Sequence, residues 1–200
     1  MIRAFLAVEL HETLRGHLAR LQTDLKQRLS PKLPRQVRLS WVQPGSIHLT
    51  LKFLGDIDEA MVQPMREAIE RTLHGHEPVS IPLERIGSFP HLHQPRVLWI
   101  GPSEEWERSP DHARLIALHQ AVEASTVSLS FAPDTRPLSP HLTLARIKEG
   151  ARQVGQALAQ TGVTDRPCPL GALPVESIAL MKSDLKPTGS VYTKLWEIQF

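Results

Sequence analysis

The tetrapeptide His-Leu-Thr-Leu stands twice in this chain, as His48-Leu49-Thr50-Leu51 and as His141-Leu142-Thr143-Leu144, 93 positions apart. In an extended strand, successive side chains point to opposite faces. The His and Thr of each copy then share one face and the two Leu residues share the other. The Leu face suits a core and the His/Thr face suits a cleft. Imidazole, with a reference pKa of about 6.5, can give or take a proton near neutrality. Two imidazoles facing one cleft supply the base and the acid that opening a phosphoester requires.

One His-x-Thr is a weak signal, because any strand can carry it. Two four-residue identities in 200 residues are much harder to reach by chance. Each also comes after a turn-forming stretch, Gln43-Pro44-Gly45-Ser46 before the first and Arg136-Pro137-Leu138-Ser139-Pro140 before the second. The competing reading is a structural pair, each ring satisfied by backbone. The His74/His76 and His91/His93 pairs have spacings that could seize a metal, but no Cys or carboxylate cluster of the usual kind accompanies them. They are read as loop histidines. His11, His17, His112 and His119 fall on expected helices as surface residues. Cys168, between two prolines, lacks an evident base partner.

Periodicity gives the elements that must position the motifs. Residues 3–10 read as a buried strand. Residues 11–29 read as an amphipathic helix with Leu14, Leu18, Leu21 and Leu25 on one stripe. A Pro-containing break at 30–35 ends it. Lys26, Arg28, Lys32, Arg35 and Arg38 make that neighbourhood basic, either as a solvated loop or as a flap meeting phosphates. Residues 41–55 read as strand, turn, strand, and 59–73 as a second helix whose methionines fill core. Residues 79–89 and 96–100 read as a hairpin joined by a long loop. A third helix spans 111–129, and the second motif begins a strand. A short helix over 151–161 stops at Gly162. Strands at 177–182 and 191–200 flank the turn Lys186-Pro187-Thr188-Gly189. This irregular order favours an α+β fold with mainly antiparallel sheets over a doubly wound one.

Composition narrows the classes. With 41% hydrophobic residues the chain can bury a core, and its length fits one domain (residues 1–200) rather than a string of modules. A net charge of +2 excludes a histone-like polycation. The pI near 8.9 is compatible with a local basic patch facing an anion. A lone cysteine permits no intrachain disulfide framework and fits a reducing cytoplasm. The amino terminus reads as a strand, not a signal peptide, and no run reaches the ~20 apolar residues of a membrane span.

With these motifs the chain resembles the 2H phosphoesterase superfamily, and within it the RNA 2′,3′-cyclic phosphodiesterases, also called 2′-5′ RNA ligases. The resemblance rests on six stretches: Arg3-Ala4-Phe5-Leu6-Ala7-Val8, Trp41-Val42, residues 48–55, Arg96-Val97-Leu98-Trp99, residues 141–146, and residues 183–192. It therefore covers essentially the whole chain. It implies a bilobal fold, two similar lobes each with an antiparallel sheet backed by helices, and a site in the groove between them. It implies no metal and no nucleotide cofactor. The expected partners are RNA ends or nucleoside 2′,3′-cyclic phosphates, met by a monomer with no obligatory protein partner and no membrane.

The resemblance also implies roles. His48 would be the general acid that protonates the ribose 3′ oxygen, and His141 the general base that activates water, leaving a 2′-phosphomonoester. The residues by themselves leave the two roles interchangeable. Thr50 and Thr143 would donate to nonbridging phosphate oxygens. Arg146 falls at a phosphate-contacting position and Phe53 at a base-stacking one. Strict alternation objects to these two, placing Phe53 with Leu49 and Leu51, and Arg146 with Leu142 and Leu144. A bulge, a twist or a strand end is needed to bring them to the cleft. For Phe53 a core position competes with stacking. Reversal of the chemistry would give 2′-5′ ligation. The alternatives are a 2H phosphodiesterase acting on ADP-ribose cyclic phosphate or 2′-5′ oligonucleotides, a non-catalytic RNA-end binder, and a metal-dependent hydrolase using the loop histidines.

Overall fold

Strand β1 (Ile2–Val8) buries Ala4, Leu6 and Val8 in the main core and turns Phe5 and Ala7 to the opposite face. This two-faced strand is the axis of the first lobe. The computed structural model describes residues 1–186 and 189–200. The central residues of the expected 186–189 turn, Pro187 and Thr188, lie outside the described residues.

Fourteen regular elements make up the described chain. They are β1, α1 (Glu12–Leu29), β2 (Arg38–Trp41), β3 (Leu49–Ile57), α2 (Val62–Leu73), β4 (Val79–Leu83), β5 (Arg85–Phe89), β6 (Val97–Gly101), α3 (Pro110–Ser128), β7 (Leu142–Glu149), α4 (Ala151–Thr161), β8 (Gly171–Val175), β9 (Ser177–Lys186) and β10 (Gly189–Gln199). They form two four-stranded antiparallel sheets, ordered β10-β9-β1-β3 and β2-β7-β6-β5, plus the two-stranded β4-β8 ribbon. The α+β class and the two-lobed antiparallel architecture are as the sequence leads one to expect.

Local chemistry sets the helix ends. Ser109 accepts from the His112 backbone N–H at 3.2 Å, with Pro110 in the first turn of α3. Gly162 closes α4 with φ +62°, a left-handed conformation that favours glycine.

The lobes are interleaved along the chain. Helix α1 leaves the first sheet and packs with α4 behind the second. There Gln22, buried in α1, donates to the Val42 carbonyl at 2.8 Å and to the Leu144 carbonyl at 2.9 Å. Helices α2 and α3 pack together behind the first sheet, and the Trp196 indole of β10 donates to the Val62 carbonyl at 3.1 Å.

Several elements differ from expectation. Residues 79–89 are not one arm of a hairpin: the run divides at Glu84, β5 pairs with β6, and β4 leaves to pair with β8. Strand β8 carries Gly171 and Pro174, residues that weaken a strand signal. It survives because Pro174 and Pro82 sit in a two-stranded ribbon, where a missing N–H is tolerated. The first arm of the 41–55 region also starts earlier, at Arg38.

Candidate active site

Both motif strands carry the same irregularity at the same place. On β3, Thr50 pairs with Ala7 and Lys52 with Leu6, so Leu51 is an extra residue. On β7, Thr143 pairs with Trp99 and Ala145 with Leu98, so Leu144 is extra. A bulge puts two consecutive side chains on one face and reverses the facing of the residues beyond it. Leu51 and Lys52 are both buried, as are Leu144 and Ala145. Phe53 and Arg146, next in each strand, return to the cleft face. Phe53 is 63% exposed, and both residues line the groove. The alternation argument against these two positions fails because the strands are not regular, and the core position for Phe53 is ruled out.

The groove is a cavity of about 280 Å³ lined by both sheets. His48, Thr50 and Phe53 reach it from the first lobe, and His141, Thr143 and Arg146 from the second. All six sequence-predicted site residues therefore come together. Each imidazole is held in the same way. The His48 Nδ1 lies 2.9 Å from the Ser46 carbonyl, and the His141 Nδ1 lies 2.7 Å from the Ser139 carbonyl. A carbonyl only accepts, so each Nδ1 carries the hydrogen and each Nε2 is the nitrogen free for proton transfer. The turns ahead of the motifs thus fix the tautomer.

Aromatic rings set the orientation. The His48 ring lies 4.7 Å from Phe5 and meets Tyr192 edge-on at 5.1 Å. The His141 ring meets Phe89 edge-on at 4.9 Å and lies 6.3 Å from Trp99. Burial lowers the proton affinity of His48, the Ser46 hydrogen bond opposes this, and the charges of Arg146 and His141 lower it further. Burial also lowers that of His141, opposed by the Ser139 bond and aided by Arg146. The Arg146 charge acts on both rings, which ties the two lobes of the site together electrostatically.

Sequence reasoning missed several groove residues. Phe5 and Tyr192 support His48, and Arg3, Ser183, Leu185 and Ser190 extend the cavity along the first sheet. For Arg3 and Phe5 the signal was available: 3, 5 and 7 share the face of β1 opposite Ala4 and Leu6. Lys52 was the reverse case. Strict alternation would set it beside His48 and Thr50, yet the bulge sends it inward to the Glu123 carboxylate, both oxygens at 2.7 Å.

No group of three or more His, Cys, Asp or Glu side chains converges as a metal set among the described residues. His91 and His93 lie with ring centroids 6.2 Å apart on an exposed loop. No helix among the described residues is long and apolar enough to cross a membrane.

The sequence and the fold have known counterparts. The chain is 33% identical over 194 residues to the RNA 2′,3′-cyclic phosphodiesterase of Methanothermobacter thermautotrophicus, covering 97% of this chain and 96% of that one. It is 29% identical to the protein of the same name from Aquifex aeolicus, covering 87% and 88%. Among solved structures, TT0787 of Thermus thermophilus superposes with a TM-score of 0.72 at 30% identity, covering 99% of this chain and 97% of that one. E. coli LigT complexed with 3′-AMP shares the fold at a TM-score of 0.71 and 21% identity, with the same coverage. The LigT-like phosphoesterase family model matches residues 8–99 and 108–192, so both bulged strands and the turns that orient their histidines lie within it, and the chain belongs to that family of phosphoesterases.

Proposed function

We propose that the enzyme opens RNA 2′,3′-cyclic phosphate ends to 2′-phosphomonoesters, with His48 as general acid and His141 as general base. The observation that carries this reading is the matched pair of imidazoles, each tied through Nδ1 to a carbonyl two residues earlier, in one cavity with two threonines and an arginine. In the reaction, His141 Nε2 takes a proton from water as the water oxygen bonds to phosphorus. The P–O3′ bond breaks, and His48 Nε2 delivers its proton to O3′. Thr50, Thr143 and Arg146 stabilise the charge on the nonbridging oxygens, and the exposed Phe53 ring stacks on the base. The Glu9 charge, which raises the proton affinity of His48 against the larger effect of burial, supports His48 as the acid. Among the described residues, no carboxylate acts on His141 in this way. With the 5′-hydroxyl of an RNA attacking phosphorus in place of water, the same forward steps give a 2′-5′ linkage, and their reversal cleaves it. The lone, half-buried Cys168 supports a cytoplasmic setting.

The deciding measurement is product analysis on an RNA with a 2′,3′-cyclic phosphate end in the presence of EDTA. The expected product is the 2′-phosphate at an undiminished rate. A 3′-phosphate product would overturn the assigned bond cleavage, and loss of turnover in chelator would favour a metal-dependent route. Binding without any product would identify a non-catalytic RNA-end binder.

The two imidazoles set the pH dependence. One must be neutral and the other protonated in the productive state, so kcat/KM is bell-shaped. Both rings have lowered proton affinity, so the bell lies on the acid side of the ordinary imidazole value of 6.5. As pH rises, the acid loses its proton and activity falls; as pH drops, the base gains one and activity falls. A profile that rises monotonically through neutrality would exclude the acid–base pair.

A further inference from the structure

Among the described residues, the groove lining contains two arginines, Arg146 from the second sheet and Arg3 from the first, and no carboxylate. Two guanidiniums in a cavity without acids make an anion site, but they do not act at one point. Arg146 follows the second motif on β7, and its charge lowers the proton affinity of both imidazoles. Arg3 lies on β1, two residues beyond the Phe5 that packs on His48, and so stands further along the groove.

The strand register says how far. Arg3 and Phe5 share the cleft face of β1, two residues or roughly 7 Å apart. The Phe5 ring lies under His48 at 4.7 Å. That step is comparable with the separation of neighbouring phosphates along an RNA strand. The β1–β9 register, with Phe5 opposite Met181 and Ala4 opposite Lys182, brings Arg3 beside Ser183. Ser183 and Ser190 line the same end of the cavity and add hydroxyl donors. Asp56 stands across from Arg3 on β3, yet Arg3 makes no ion pair with any described residue. Phe53 and Leu185, 63% and 71% exposed, wall this end with apolar surface.

We infer that Arg3, with Ser183 and Ser190, is a second phosphate subsite, which holds the phosphodiester joining the terminal nucleotide to the rest of an RNA. The inference rests on the cyclic phosphodiesterase reading above and sharpens its substrate: an RNA end rather than a free nucleoside cyclic phosphate. A guanidinium offers donors only, and each flanking hydroxyl can donate beside it, which suits phosphate oxygens.

The test compares three substrates: uridine 2′,3′-cyclic phosphate, the same compound carrying a 5′-phosphate, and the dinucleotide uridylyl-uridine 2′,3′-cyclic phosphate. For the wild type, kcat/KM is expected to rise about tenfold from the first to the other two. Arg3→Gln is expected to cost about tenfold more on these two than on the first, through KM. The variant should also show a salt dependence for the dinucleotide shallower by about one phosphate contact. Arg3→Lys, which keeps the charge, is expected to recover part of the loss. Equal losses on all three substrates, or no loss, would overturn the subsite. No turnover of any of the three by the wild type would instead bring down the underlying reading of the enzyme.

Discussion

Replacing His48 or His141 with Ala is expected to lower kcat by about 10²–10⁴-fold each, with KM little changed, as measured on a 2′,3′-cyclic phosphate-ended RNA. Each ring touches the groove through one free nitrogen and contributes little to the core, so folding should survive. The double variant should fall short of the product of the two losses, because one transition state uses both rings. A second substrate separates the roles. A nucleotide ester with a nitrophenyl leaving group needs no proton donor at the departing oxygen. On it the variant lacking the acid should regain most of its rate, and the variant lacking the base should not. Recovery in His141→Ala rather than His48→Ala would exchange the assignments. Wild-type rates in either variant would end the two-histidine mechanism.

Glu123→Ala is expected to destabilise the protein by about 3–5 kcal/mol in urea or thermal unfolding. The Lys52 side chain is 1% exposed, and its ammonium meets both Glu123 oxygens at 2.7 Å and the Ala132 carbonyl at 3.0 Å. The intact pair adds little net stability, since desolvation of two ions offsets their attraction. Deleting the carboxylate is another matter, because it leaves a buried ammonium with only the Ala132 carbonyl as partner among the described residues. For a chain of this length the loss corresponds to roughly 6–20 °C in Tm. Glu123 also accepts the Asp134 backbone N–H at 3.2 Å, so it ties β3 to the segment leading to His141. Activity should fall beyond what unfolding explains. The double replacement Lys52→Met with Glu123→Leu should restore most of the stability. Wild-type stability in Glu123→Ala would show that water reaches the ammonium.

The two histidines and two threonines could be read directly, because a repeated tetrapeptide with period-two character leaves few other uses for them. The helices at 11–29 and 111–129 were equally plain from their leucine spacing. What could not be read was the phase after each motif. A bulge is a property of two strands and their register, and no local pattern on β3 or β7 announces the extra Leu51 or Leu144. Phe53 and Arg146 were displaced from the faces that alternation gives them by that one device, and Lys52 was turned into the core by it. The β4–β8 ribbon was hidden for a different reason: its pairing is remote in sequence, and its prolines look like loop. Arg3 was visible as a cleft-face residue of β1, but the groove extending to it exists only once β9 and β10 are in place.

That late arrival bears on how the protein is made. The surface beneath His48 is completed by Tyr192, and the layer behind each sheet is supplied by helices from distant parts of the chain. A chain that stops short of β9 therefore lacks the Tyr192 edge against His48 and the Ser183 and Ser190 rim of the groove. Such a shortened product keeps both motif tetrapeptides in its sequence yet cannot complete the first-lobe wall of the groove.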